Sequence, residues 1–233
     1  GVKIDLGADA VAQCLKTIGI GFMFAPVFHP AMKYATAPRR EIGIRTAFNI
    51  LGPLTNPARA EFQVIGVPSK ELGEKIAFVL QRLGTKHSLV VHGMNGMDEI
   101  SINGESLVWD VNQDRVSPAY EVSPEDFGFE EASVAELRGG TAKQNAEILR
   151  NILSGEAGAR RNIVVMNAAA ALVAGNQASD LKEGTRIAKE AIDSGRAQAK
   201  LKKLIEFSQS LKEETLNTFA KGKKGEEELN KFN

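Results

Sequence analysis

"FQVIGVPSKELGEKIAFVLQRLGTKHSLVVHG", residues 62–93, decides how this chain folds. Its opening, Phe62 to Val67, is short, almost wholly apolar and uncharged, which suits a strand buried on both faces. Ser69 then offers a side-chain oxygen to the free N–H groups of a helix start. An amphipathic body follows, and Gly84 is a stop signal. "HSLVVHG" (His87 to Gly93) returns to an apolar strand. Strand, helix and strand within roughly 30 residues form a parallel βαβ unit, because a parallel return requires a crossover.

Working outward, "ADAVAQCLKTIG" (Ala8 to Gly19) has helical apolar spacing and ends on a glycine, and "IGFMFAP" reads as a short strand ended by Pro26. "FHPAMKYATAPRREIGIRTAFNILGPLTNP" (Phe28 to Pro57) reads mostly as helix and closes in a turn-rich run. Downstream, "SINGESLVWDV" carries Asn103-Gly104 between two short runs and predicts a hairpin. "AYEVSPEDFGF" predicts a short strand and turn. From Gly140 the pattern is helical. "TAKQNAEILRNILSG" begins with a Thr141/Gln144 capping box, and "RRNIVVMNAAAALVAGN" is alanine-rich enough for close packing. The tail "AKGKKGEEELNKFN" carries blocks of charge and predicts fraying. The expected fold is α/β, a mostly parallel central sheet flanked by helices, with a late hairpin and a C-terminal helical layer.

The 233 residues suffice for one large domain or one and a half ordinary ones. Lys+Arg and Asp+Glu both number 29, a balance that argues against a general nucleic-acid or membrane-surface binder. Cys14 is the single cysteine, so no disulfide framework exists, and it reads as a small core residue rather than a nucleophile.

Three places could carry chemistry. Asp98 and Glu99 in "GMDEIS" follow a strand, where open α/β sheets bind ligands. Two adjacent carboxylates suit Mg²⁺, which takes one or two carboxylates and completes its shell with water and phosphate; a solvated loop pair has the same sequence. His29 and Arg39 lie on one helical unit, with Pro30 placing His29 at a helix start. A guanidinium matches a planar carboxylate bidentately, although alone these two read more readily as surface residues. Gly52-Pro53 and Asn56-Pro57 shape the backbone tightly and admit a ligand close to it, or simply make a connecting turn. "RGGT" (Arg138 to Thr141) could cradle a phosphate, but the capping box already accounts for it.

The long run "GIGFMFAPVFHPAMKYATAPRREIGIRTAFNILGPLTNPA" resembles the anthranilate phosphoribosyltransferase family. So do "GMDEIS", "LRGGTAKQNAEILRNILSGEAGARRN" and "MNAAAALVAG". The likeness extends to about Ser210. It implies a nucleoside-phosphorylase-like or phosphoribosyltransferase-like architecture with part of a small all-helical domain. Residues 1–210 would form the glycosyltransferase α/β domain without its N-terminal part, 28–47 the helical-domain or hinge region, and 211–233 a charged tail. The implied reaction joins anthranilate to phosphoribosyl pyrophosphate (PRPP) and releases pyrophosphate, in tryptophan biosynthesis. His29, Arg39, Gly52 and Pro53 match the family's anthranilate contacts, and Asp98 and Glu99 match its Mg²⁺-holding pair. No general base is implied. The family also implies a cytoplasmic homodimer, an association with the glutaminase subunit of anthranilate synthase, and no nucleic-acid or membrane partner.

The family's glycine-rich "GTGGD" and "KHGN" motifs occur nowhere in this chain. "GVKIDL" matches the family just after them, so the resemblance implies an N-terminally truncated fragment, inactive alone and with apolar surface exposed. Two relatives of the same architecture offer other readings: a nucleic-acid-binding branch, which would need a basic groove, and the pyrimidine nucleoside phosphorylases, whose base-binding pattern is not visible.

Overall fold

The computed structural model describes residues 1–30 and 54–211. They divide into two compact units. One holds the described residues of Gly1–Ala37 and Lys200–Asn233, the other those of Pro38–Ala199.

The larger unit is built on a sheet of order β1-β2-β3-β4, with β1 Phe62–Gly66, β2 His87–Gly93, β3 Ser106–Asn112 and β4 Tyr120–Val122. β1 and β2 are parallel, joined by α3 (Lys70–Arg82), as the 62–93 stretch predicts. Ser69 caps α3 through its side chain, which accepts from the N–H of Leu72. Gly84 follows the last turn with φ +80°. The α/β class with flanking helices holds. In place of a mostly parallel sheet, the described sheet is mixed, because β2–β3 and β3–β4 are antiparallel. Residues 94–105 contain no helix, so the chain returns directly instead of crossing over.

Both faces of the sheet are covered. Leu107, Trp109 and Val111 of β3 face Ile76, Ala77 and Leu80 of α3. The alternate residues, Leu89, Val91 and Val108, face α5 (Ala159–Ala174) through Ile163, Met166, Ala169 and Ala170. Burial on both sides explains why β2 lacks polar alternation. Gly73 lies against Trp109: an added Cβ would fall 2.4 Å from the indole Cζ3. α6 (Leu181–Asp193) packs on α5 through Ala188 and Ile192. There Gly184 meets Ala169, and a Cβ would stand 2.8 Å from its carbonyl oxygen.

The Asn103-Gly104 turn forms, with Gly104 at φ +81°, but it does not join two paired strands. The Ser101 N–H donates to the Ser106 hydroxyl across the turn at 2.9 Å, while β3 pairs with β2 instead. Ile100 and Ile102 are core residues, so the run before the turn packs rather than forming a ladder. α4 (Ala142–Leu153) has the predicted capping box but no buried residue, and Leu149 is exposed.

In the smaller unit, α1 (Ala8–Ile18) ends at Gly19, in the left-handed region at φ +72°. Cys14 is buried with Leu6 and Val11, against Phe28, Phe207 and Leu211. Burial pushes its thiol pKa up, which suits a core residue. No strand forms over 20–26. Residues 20–24 are irregular, and α2 is the single turn Ala25–Phe28 with Pro26 near its start. Proline fits a first helical turn and cannot donate to a ladder. From Lys200 onward the last helix, α7 (Arg196–Ser210), belongs to this unit. Lys200 places its ammonium 2.6 Å from the Ile18 carbonyl, a cation on a helix C-terminus. The charged tail, expected to fray, lies outside the described residues from 212 onward.

Candidate active site

The parallel strands β1 and β2 end at Gly66 and Gly93, on the edge of the sheet where α/β folds bind ligands. The segment after β2 turns back across these ends. The Gly93 N–H donates to the Met97 carbonyl (2.9 Å), and Gly96 to that of Gly93 (2.8 Å). Asn95 and Ser101 tie the loop from within: the Asn95 amide donates to the Ser101 hydroxyl, and the Ser101 hydroxyl accepts from Asn103 N–H, each at 2.9 Å. At its apex are Asp98, exposed, and Glu99, half-buried.

Two features set the height of this apex. Gly66 lies directly beneath it, and a Cβ there would fall 1.5 Å from the Asp98 carbonyl oxygen, so only glycine lets the loop sit on the strand end. From the side, the Asn167 amide of α5 accepts from the Ile100 N–H and donates to the Ile100 carbonyl, both at 2.9 Å. Below the loop, buried His92 pairs its Nδ1 with the Val67 carbonyl at 2.9 Å. A carbonyl only accepts, so Nδ1 carries the proton.

Glu99 is under electrostatic strain. Burial first, and the neighbouring Asp98 carboxylate second, push its carboxyl pKa up. Two crowded carboxylates, one open to water, are a fitting donor set for a hard divalent cation that draws its other ligands from water and phosphate. Among the described residues no cluster of three His, Cys, Asp or Glu side chains could hold a metal. A raised pKa means the folded protein holds the Glu99 proton more tightly than the unfolded chain does. That contribution to stability is complete below the ordinary value of 4.5 and is lost as pH rises through the folded value. Glu99→Gln is therefore expected to raise the midpoint of thermal unfolding at neutral pH, with the gain vanishing below pH 4.5. An unchanged midpoint at both pH values would remove the electrostatic strain from this account.

The other predicted residues are distributed differently. His29 follows α2 as its C-cap, its N–H donating to the Ala25 carbonyl at 2.8 Å; the helix expected to begin at Pro30 lies outside the described residues. Arg39, Gly52 and Pro53 lie outside the described residues. The structure thus brings Asp98 and Glu99 together and does not test their juxtaposition with the other four. "RGGT" is occupied internally: the Gly140 N–H donates to Asn145 and the Thr141 N–H to Gln144, so the capping reading stands.

Gly66 and Asn167 were not singled out by sequence reasoning, although each leaves a signal. A glycine at the end of a strand marks close backbone approach, and the one polar side chain of the run "MNAAAALVAG" demands a partner.

Comparison with known proteins follows the same outline. The profile of the glycosyl transferase family, a/b domain, matches residues 1–198. An anthranilate phosphoribosyltransferase of Dehalococcoides mccartyi is 53% identical over 212 residues, 91% of this chain and 62% of that protein. The crystal structure of anthranilate phosphoribosyltransferase (TrpD) from Thermus thermophilus superposes with a TM-score of 0.84 at 39% identity, covering 90% of this chain and 62% of that one. The Saccharomyces cerevisiae anthranilate phosphoribosyltransferase in complex with PRPP and Mg gives 0.81 at 29% identity, with 89% and 59% covered. The chain therefore spans about three-fifths of the length of these relatives.

Proposed function

This chain belongs to the glycosyl transferase family by its a/b domain, and we propose that it is the larger part of an anthranilate phosphoribosyltransferase. The reaction transfers the phosphoribosyl group of PRPP to anthranilate and releases pyrophosphate. The observation that carries this reading is 53% identity over 212 residues to an enzyme of that name. Neither the nucleic-acid-binding nor the phosphorylase reading gains support from the relatives.

Asp98 and Glu99 would hold Mg²⁺, which when bound would supply positive charge against that of the departing pyrophosphate. Arg39 grips the anthranilate carboxylate, with His29 beside the same substrate and Gly52-Pro53 against its ring. The aromatic amine is already nucleophilic near neutral pH, so the chain's task is to orient it. The phosphate-cradling glycine loop belongs to the part of the relatives that this chain does not span. Residues 28–47 form the hinge or helical-domain region, 1–210 the catalytic unit and 211–233 a tail. The enzyme works in the cytoplasm as a homodimer, with the glutaminase subunit of anthranilate synthase as a further partner. Among the described residues, no helix is long and apolar enough to cross a membrane.

Arg39 gives the test. A charge-assisted contact of this kind contributes roughly 1.5–3 kcal/mol. With residues 1–233 joined to the leading segment of a relative, Arg39→Ala is expected to raise the KM for anthranilate by about ten- to a hundredfold. The KM for PRPP should barely move, and lysine should restore little, because it lacks the planar fork. An unchanged anthranilate KM would remove Arg39 from the site.

A further inference from the structure

The alanine-rich segment "MNAAAALVAG" has no role in the reaction outlined above, yet its one polar side chain is bonded to the residue that follows the acidic pair. Asn167 makes three hydrogen bonds. Its carbonyl accepts from the Ile100 N–H (2.9 Å), and its amide donates to the Ile100 carbonyl (2.9 Å) and to the Ile163 carbonyl one turn earlier on α5 (3.0 Å). The first two close a ring on the residue that immediately follows Glu99. The third anchors the amide to its own helix. All remaining neighbours of Asn167 in the segment are apolar, and Met166, Ala169 and Ala170 are buried against the sheet. α5 is thus a rigid post, and Asn167 is the side chain that bonds it to the loop carrying Asp98 and Glu99.

The loop needs such a post. Gly66 leaves room for the Asp98 carbonyl but forms no bond that would hold it. Among the described residues, no protein group hydrogen-bonds the exposed Asp98 or the half-buried Glu99 side chain to hold it. A backbone clamp on the next residue sets the direction in which both side chains leave the chain.

We propose that Asn167 is a positioning residue for the divalent-cation site: it fixes the backbone at Ile100 so that the Asp98 and Glu99 carboxylates converge on one ion. This inference rests on the reading of that pair as the Mg²⁺ site. Residues that orient metal ligands typically contribute about ten- to a hundredfold in metal affinity.

The test uses isotopically labelled residues 1–233 with Mn²⁺ and inorganic pyrophosphate as the probe, following paramagnetic broadening of backbone and side-chain resonances. In the unaltered chain, broadening is expected at Asp98, Glu99, Ile100 and the Asn167 amide. Asn167→Ala should weaken Mn²⁺ binding by about tenfold or more. Met166→Ala, a neighbouring core truncation, should lower the unfolding temperature and leave Mn²⁺ affinity unchanged, separating positioning from general loss of stability. Absence of broadening at Asp98 and Glu99 in the unaltered chain overturns the cation-site reading and the inference with it. Broadening there with undiminished affinity in Asn167→Ala overturns the role of Asn167 alone. If Asn167→Ala does not fold, the unaltered chain decides: broadening at Asp98 and Glu99 that spares the Asn167 amide contradicts the proposal, and broadening of all four supports it.

Discussion

Changing Asp98 and Glu99 together to alanine is expected to lower PRPP-dependent consumption of anthranilate by about a hundred- to a thousandfold, in residues 1–233 joined to the leading segment of a relative. Breaking the bond between ribose and pyrophosphate leaves charge on a polyanion, and under the function proposed above a cation held by these carboxylates would offset it. The geometry favours this use of the pair over that of a solvated loop. A solvated pair would not be seated on a strand end where only Gly66 fits, nor be followed by a residue clamped on both backbone groups. Anthranilate affinity should stay within about twofold, since no part of its binding is assigned to this loop. Measuring turnover across a Mg²⁺ series separates the outcomes. A double variant that keeps its Mg²⁺ dependence and most of its rate would show that the ion is held elsewhere.

Much of the fold was legible because local signals agreed. Ser69, the apolar spacing of α3 and Gly84 all point to one helix, and the flanking apolar runs have the length of strands. Legibility failed where tertiary contacts decide. Asn103-Gly104 predicts a hairpin, and a turn does form. The residues before it are drawn into the core through Ile100 and Ile102, so β3 finds β2 as its partner. Nothing in a short window of sequence announces that competition. Likewise "IGFMFAP" has strand composition, yet Pro26 starts a helical turn.

The site divides in the same way. Asp98 and Glu99 were visible as an acidic pair after a strand, and their place at the strand ends follows from the βαβ reading. What Gly66 and Asn167 do for the pair was not legible, because their partners lie far along the chain. Asn167 is 67 positions from Ile100, and Gly66 acts through space it leaves empty rather than through a contact of its own. His29, Arg39, Gly52 and Pro53 were reached through likeness to a family, and their roles stand as proposals tested by substitution.

The largest effect of all is expected from the polypeptide's extent. Residues 1–233 alone should not turn over PRPP and anthranilate. Two carboxylates hold Mg²⁺ weakly unless phosphate oxygens share it. Under the function proposed above, a polyanion also has to be cradled by backbone N–H groups, which the part of the relatives that this chain does not span would supply. Catalysis by positioning collapses when half of the positioning groups are missing, because their effects are not additive. Joining the chain to the leading segment of a relative should restore the reaction. The decisive measurement is the loss of anthranilate fluorescence with PRPP and Mg²⁺, recorded for residues 1–233 alone and for the joined protein. This account predicts steady consumption by the joined protein and none above background by the chain alone. Equal rates in the two, or no consumption by a folded joined protein, would contradict it.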